Sequence, residues 1–117
     1  MDTIRETNDL RVQITARHCD VPSDVIQLTE EHVGALSKYS PKASAADVVY
    51  TEERLTKVVE VIMHIDGGDP VVARGEAAEF RTALDQVVDR VSRRLRKQRE
   101  RRTNHKAPPL GEGVGGG

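Results

Sequence analysis

Aromatic side chains are scarce in this sequence, which has two tyrosines, one phenylalanine and no tryptophan. Any hydrophobic core must therefore be built mainly from valine, leucine, isoleucine and alanine. The single cysteine, Cys19, excludes an internal disulfide framework and a cysteine-based zinc site. No apolar run approaches the roughly 20 residues that a membrane-spanning helix needs, and the acidic, polar N-terminus resembles neither a signal peptide nor a transit peptide. These absences predict a cytoplasmic protein.

Length and composition predict one modest domain between two polar ends. The chain has 117 residues, which is enough for a single core. We expect residues 1–9 to form a flexible N-terminal extension and residues 10–102 to form the folded domain. Residues 103–117 are rich in glycine and proline and have little to bury, so we expect a disordered tail there.

The net charge of −1 conceals two regions of opposite sign. Residues 1–88 carry nine Lys or Arg against sixteen Asp or Glu, a net charge of −7. Residues 89–117 carry nine Lys or Arg against three Asp or Glu, a net charge of +6. The chain therefore has an acidic body and a basic end, and the basic end suits an acidic partner such as nucleic acid.

Hydrophobic periodicity predicts the order β-α-β-β-β-α. Alternating apolar and polar residues indicate strands, whereas apolar residues at three- and four-residue steps indicate helices. Gly67 and Gly68 predict a hairpin turn before the last strand. The predicted strands are 10–16, 47–51, 57–65 and 71–77, and the predicted helices run from about 22 to 40 and from about 78 to 102. This order favours an α+β fold, with a four-stranded mixed sheet and two helices on one face.

The second predicted helix has a continuous apolar stripe. We expect Leu84, Val87 and Val91 of this stripe to be buried against Val61 and Met63 of the neighbouring strand. No apolar residue continues the stripe beyond Leu95, so we expect the end of the helix to project or fray. The full stripe is Phe80, Leu84, Val87, Val88, Val91 and Leu95.

A cluster of cations in the same helix is the strongest functional signal. Eight Lys or Arg residues fall between residues 90 and 102, with a single acid, Glu100, among them. Like charges at this spacing destabilise an isolated helix, and a polyanion removes the repulsion. Arginine suits phosphate because its planar guanidinium group donates two hydrogen bonds. Five of these cations, at steps of three or four, form what we call the basic ridge: Arg90, Arg93, Arg94, Lys97 and Arg101.

The composition of the basic ridge is compatible with more than one kind of partner. An acidic protein or a membrane surface could replace nucleic acid in that role. A solvated helix end, whose dipole favours cations, accounts for one or two of the charges but not for eight.

Arg17 and His18 follow the first predicted strand and form a second candidate site. They either add a phosphate contact or belong to an ordinary exposed loop end, and their spacing favours neither. The four histidines show no metal-ligand spacing, and the Asp66–Asp69 turn is too short for a calcium loop. A nucleophile elbow and a phosphate-binding glycine loop are both missing from the sequence. We therefore expect no enzyme activity, no metal and no cofactor.

Several segments in a set order resemble a known family. They are Ile14-Thr15-Ala16-Arg17-His18, Leu36-Ser37-Lys38-Tyr39, the strand Val59–Ile65, the glycine hairpin with Ala73-Arg74-Gly75-Glu76, and the helix Ala83–Lys97. Over about residues 10–100 the chain resembles the short form of the bacterial ribosome hibernation-promoting factor and ribosome-associated inhibitor A family, also called sigma-54 modulation proteins. The order and spacing of these segments are together specific.

The resemblance implies a fold similar to a double-stranded RNA-binding domain, and it implies a function. Such proteins bind the small ribosomal subunit in the channel that holds messenger RNA and the anticodon ends of transfer RNA, which blocks translation and preserves idle ribosomes. Arg81 departs from the pattern, because many members have tyrosine there. The RNA-binding residues expected on these grounds are Arg17, His18, Arg81, Arg90, Arg93, Arg94, Lys97 and Arg101.

The expected partners are the small subunit and its RNA, with no membrane and no small-molecule substrate. Off the ribosome we expect a monomer. The alternative from a different class is a non-enzymatic module whose basic helix binds an acidic protein. A third possibility is a general binder of duplex RNA, although such domains carry more cations at the start of their last helix than Ala78-Glu79-Phe80-Arg81 provides.

Overall fold

A mixed sheet with two helices on one face organises the chain. The computed structural model describes the backbone of residues 2–7 and 10–106 and the side chains of residues 10–100. The strands are β1 (Asp2–Thr7), β2 (Leu10–Arg17), β3 (Ala43–Glu53), β4 (Thr56–Ile65) and β5 (Val71–Ala77). The helices are α1 (Ser23–Gly34), which continues into a 3₁₀ turn (Ala35–Tyr39), and α2 (Phe80–Lys106).

The five strands lie in sequence order across the sheet, so that β1 and β5 are its edges. β2 and β3 are parallel and are connected through α1, whereas every other neighbouring pair is antiparallel. Gly67 in the turn between β4 and β5 has a φ of +74°, which fits the predicted glycine hairpin. The predicted α+β class and the β-α-β-β-β-α order from residue 10 onward are confirmed.

Among the described residues the sheet has five strands and not the four predicted, because β1 lies within the segment expected to be a flexible extension. It pairs with β2 in an antiparallel register from Asp2↔Thr15 to Thr7↔Leu10. Periodicity could not indicate this strand, since Ile4 is its only large apolar residue. A strand at the edge of a sheet is held largely by backbone hydrogen bonds, which leave no mark on the hydrophobic pattern.

The core lies between the helices and one face of the sheet. Val61, Met63, Leu84, Val87 and Val91 are all 0% exposed and belong to one cluster, which confirms the predicted packing of α2 on β4. Alternate residues of the strands face this core, so the burial along β5 alternates from Val71 onward. Both described α-helices pack on this one face, and neither covers the opposite face of the sheet.

A buried hydroxyl pair couples α1 to the sheet. The Thr29 hydroxyl donates to the carbonyl of Val25 at 2.6 Å, so it accepts a hydrogen bond from the Tyr50 hydroxyl. The Tyr50 ring also meets the Phe80 ring edge to face, with centroids 5.2 Å apart. Burial raises the pKa of Tyr50 to about 12. One side chain of β3 thus joins both helices.

α2 is longer than its sequence pattern predicts. The pattern predicts an end at about residue 102, whereas the helix continues to Lys106, so residues 103–106 are helical rather than part of a tail. Its last core residue is Leu95, as the apolar stripe indicates. The rest of the predicted tail, residues 107–117, lies outside the described residues.

Candidate nucleic-acid interface

The described members of the basic ridge lie along one exposed flank of α2, and Arg90 and Arg94 are on the side next to β5. Leu84, Val87, Val91 and Leu95 anchor the core-facing surface of this helix. Helical periodicity sets the ridge beside this buried stripe, and Arg90, Arg93, Arg94 and Lys97 are all exposed. Arg101 also lies in α2, but its side chain is outside the described part of the structure.

α2 approaches β5 closely because residue 75 is glycine. A Cβ atom placed on Gly75 would overlap the carbonyl oxygen of Ala83 and would lie 3.2 Å from the amide nitrogen of Val87. The helix backbone therefore sits directly on the strand at this point. The approach brings the polar margin of α2 within reach of the backbone of β5.

Three side chains of α2 hydrogen-bond to the free edge of β5. The Glu76 amide donates to Oε1 of Gln86 at 3.1 Å. The Arg90 guanidinium donates to the carbonyl of Arg74, and the Arg94 guanidinium donates to the carbonyl of Val72. We call this contact the α2–β5 seam: Gln86, Arg90 and Arg94 of α2, with Val72, Arg74 and Glu76 of β5.

The cations of α2 differ in the groups that contact their charged ends. Nη2 of Arg93 lies 3.0 Å from a carboxylate oxygen of Asp89. The Arg96 guanidinium lies over the Tyr39 ring, 5.4 Å from its centroid. By contrast, no carboxylate within the described residues pairs with Arg90, Arg94 or Lys97. The strongest unneutralised positive charge of the ridge is therefore beside β5.

A cleft of about 350 Å³ opens where the seam reaches the start of β5. Two cations and an amide share it with an apolar wall, which includes the partly exposed Val72. Its lining residues are Pro70, Val71, Val72, Arg94, Lys97 and Gln98. This mixture of cationic, amide and apolar groups suits a nucleotide, which presents phosphate and a base together.

The remaining predicted site residues lie at the opposite end of the sheet. Arg17 ends β2, and the strand register places it level with Thr51, Val58 and Glu76, next to the start of α2. His18 is exposed with a φ of +56°, where the chain leaves the strand. The structure therefore does not bring Arg17 and His18 together with Arg94 and Lys97.

Arg81 is at this same end of the sheet, in the first turn of α2. It lines a cavity of about 440 Å³ that also contains Lys57 and the acids Asp20, Asp24 and Glu79. Lys57 is further neutralised by Glu52, at 2.7 Å. Acids and cations are mixed here, so this end attracts a polyanion less strongly than the ridge does.

Sequence reasoning missed the backbone part of the interface. Gln86, Arg90 and Arg94 are four residues apart, which signals one helix face, but nothing in the sequence says that a strand edge lies beside that face. Gln98 and Pro70 of the cleft were not predicted either. Gly75 belongs to the family pattern, but that pattern does not identify it as the point of contact between helix and strand.

Two kinds of feature, a metal-ligand cluster and a membrane-spanning helix, do not occur within the described residues. They contain no group of three His, Cys, Asp or Glu side chains placed to hold a metal ion. Neither of the described helices combines the length and apolarity needed to cross a membrane.

The chain is similar in sequence to proteins named for ribosomes. Residues 12–103 match the family model of the Sigma 54 modulation protein / S30EA ribosomal protein. The ribosome hibernation promoting factor of Azotobacter vinelandii is 27% identical over 92 residues, covering 79% of this chain and 85% of that protein.

Two solved structures have the same fold at low sequence identity. One is a ribosomal subunit interface protein from Coxiella burnetii, with a TM-score of 0.70, 18% identity, and coverage of 76% of this chain and 97% of that one. The second is the N-terminal domain of Protein Y from Thermus thermophilus, with a TM-score of 0.66, 19% identity, and coverage of 80% and 99%. The family match spans most of the folded domain, and the chain therefore belongs to the Sigma 54 modulation protein / S30EA ribosomal protein family.

Proposed function

We propose that this protein is a non-enzymatic ribosome hibernation factor that binds small-subunit ribosomal RNA through α2. The observation that carries the proposal is the exposed ridge, in which Arg90, Arg94 and Lys97 have no acidic partner within the described residues. Cations left unpaired on a firmly anchored helix suit a fixed polyanion better than they suit solvent.

The relatives support a ribosomal partner in particular. The similar proteins from Azotobacter vinelandii and Escherichia coli are ribosome hibernation promoting factors, and one protein with the same fold is a ribosomal subunit interface protein. The proposed binding place is the channel for messenger RNA and the anticodon ends of transfer RNA, so that a bound copy blocks translation. Because its proposed partner is the ribosome, we propose that the protein acts in the cytoplasm. We also propose that the free protein is a monomer.

The two ends of the sheet contribute unequally to this proposal. Phosphate contacts are assigned first to Arg90, Arg93, Arg94 and Lys97, with Arg101 as a further candidate in the same helix. Arg17, His18 and Arg81 are proposed as a secondary set, because they lie at the far end of the sheet and Arg81 shares its cavity with acids. An RNA surface that touched both sets would span the length of the sheet.

A ridge variant tests the proposal. Changing Arg90, Arg93, Arg94 and Lys97 together to Gln keeps side-chain length and helix propensity but removes four positive charges. We expect this variant to stay folded by circular dichroism and to lose most of its affinity for small subunits in co-sedimentation. Each lost phosphate contact should make the plot of log affinity against log salt shallower by roughly one unit, a value borrowed from duplex DNA.

The matched control removes the same amount of charge elsewhere. Arg11, Lys38, Lys42 and Arg54 are exposed and lie outside α2, and changing all four to Gln also removes four positive charges. We expect this body variant to bind nearly as the unmodified chain does, with a similar salt slope. A folded ridge variant with unchanged affinity and slope would contradict the proposal. If that variant instead lost binding to acidic peptides, the result would favour the acidic-protein alternative.

A further inference from the structure

The contacts of the α2–β5 seam repeat at nearly the same distance along the helix and along the strand. Its helix residues are four apart, and its strand residues are two apart. Four helical residues rise about 6 Å, and two strand residues advance about 6.6–6.8 Å, so successive contacts stay in step. Each guanidinium group therefore meets one outward-facing carbonyl of β5.

These carbonyls are available because β5 is an edge strand. Residues 71, 73 and 75 alternate with residues 72, 74 and 76, and the seam contacts only the second set. No strand pairs with that outer edge within the described residues. The edge thus supplies fixed acceptors at regular intervals along α2.

A carbonyl acceptor holds a guanidinium group without neutralising it. A guanidinium group has five N–H donors, and the seam uses one nitrogen of Arg90 and one of Arg94. The remaining donors and the full positive charge stay available to solvent. Arg93 is different, because its bond to Asp89 places a negative charge directly beside it.

Holding a long side chain in place before binding also favours affinity. A free arginine loses much rotamer entropy when it is fixed on a phosphate. At Arg90 and Arg94 part of that loss has already occurred on folding. The two groups are therefore both charged and pre-positioned, a combination that the contacts of Arg93 do not provide.

We propose that Arg90 and Arg94 are the pre-positioned phosphate-binding pair of this protein, with the carbonyls of Arg74 and Val72 as their positioning groups. The inference rests on the proposed function and deepens it, since it says which ridge cations dominate and why. Its ligand is an RNA backbone that runs along the α2–β5 seam. The phosphate on Arg94 would lie at the mouth of the cleft formed by Pro70, Lys97 and Gln98.

The test replaces the pair with lysine and thereby keeps the charge. The ammonium group of lysine has three donors on a flexible stem, so it holds a carbonyl and a phosphate in a less fixed geometry than the planar guanidinium group does. We expect the variant carrying Arg90→Lys and Arg94→Lys to bind small subunits about tenfold more weakly, with an unchanged salt slope. The matched control, Arg11→Lys with Arg54→Lys at exposed positions outside α2, should stay within about twofold of the unmodified chain.

A second measurement on the free protein reports the positioning itself. The Nε–H order parameters of Arg90 and Arg94 should approach about 0.85, whereas exposed Arg81 should fall below about 0.6. Side chains of Arg90 and Arg94 as mobile as Arg81, or a lysine pair that binds like its control, would overturn the inference and leave the proposed function standing. An unmodified chain that does not bind small subunits at all would overturn both, and that result is distinguishable because binding fails before any substitution.

Discussion

Tyr50 shows how one side chain sets both the position of a helix and a response to pH. Its hydroxyl group is buried with Thr29, and burial raises its pKa to about 12, above the ordinary value of 10.0. Below pH 10 the residue is neutral in both the folded and unfolded chains, so it adds no pH dependence. Between pH 10 and 12 the unfolded chain loses its proton first, and the folded state is destabilised as pH rises.

We therefore expect the free energy of unfolding to fall above pH 10, by up to roughly 2–3 kcal/mol at pH 12. The variant Tyr50→Phe should lack this part of the decline, at a cost of about 0.5–1.5 kcal/mol at neutral pH for the lost hydrogen bond. Burial also raises the pKa of Cys19, but both proteins carry that thiol, so its effect cancels in the comparison. Urea denaturation from pH 8 to pH 12 is the measurement, and parallel declines in the two proteins would contradict the prediction.

At the scale of elements, the distance between α2 and β5 decides whether the seam can form. The helix rests on the strand at Gly75, where any side chain would meet the backbone of Ala83. Backbone atoms cannot rotate out of the way as the end of a flexible side chain can. A small substitution here must therefore shift the whole helix relative to the strand.

We expect Gly75→Ala to lower the free energy of unfolding by about 1–3 kcal/mol, as overpacking in a core does. The shift should also loosen the bonds of Arg90 and Arg94 to β5, which their Nε–H relaxation would show. Gly68→Ala is the matched control, because a Cβ there meets only the Ile65 side chain, at an ordinary 3.5 Å. Equal stability of the two variants would show that α2 does not need its close approach to β5.

At the scale of the whole molecule, charges of like sign are gathered into separate regions. The body up to residue 88 has a net charge of −7, and the remainder has +6. Repulsion within the ridge destabilises the free helix, whereas the same cations attract RNA. Salt screens both effects, so it should act on folding and on binding in opposite directions.

Raising the salt concentration from about 0.05 M to about 0.5 M should therefore stabilise the free protein by roughly 1 kcal/mol while it weakens binding to small subunits. Thermal unfolding and co-sedimentation in the same buffers measure the two responses. The ridge variant, which lacks the repelling cations, should gain less stability from salt. A loss of stability with salt in the unmodified chain would show that attraction between body and helix outweighs repulsion within the ridge.

Local patterns in the sequence determined much of this protein. Residue patterns predicted a strand or helix at each place where one occurs between residues 10 and 102, because burial of one face leaves a regular mark on the residue order. The bounds were less exact, since β3 runs from Ala43 to Glu53 and not only over 47–51. The same spacing placed Arg90, Arg93, Arg94 and Lys97 on one exposed surface, and their charge favoured an acidic partner without deciding between nucleic acid, protein and membrane. The assignment of those residues to RNA stays a prediction that the ridge variant tests.

Only the tertiary structure decided the features that depend on backbone atoms. β1 was not predictable, because an edge strand needs hydrogen-bonding partners more than it needs apolar side chains. The separation of Arg17 and His18 from Arg94 follows from the strand register, which joins residues far apart in the chain. Arg93 pairs with Asp89 one turn earlier in the same helix, whereas the contact of Arg94 with a β5 carbonyl depends on how the helix packs on the strand. Every residue has a carbonyl group, so the sequence cannot show which of them faces an arginine.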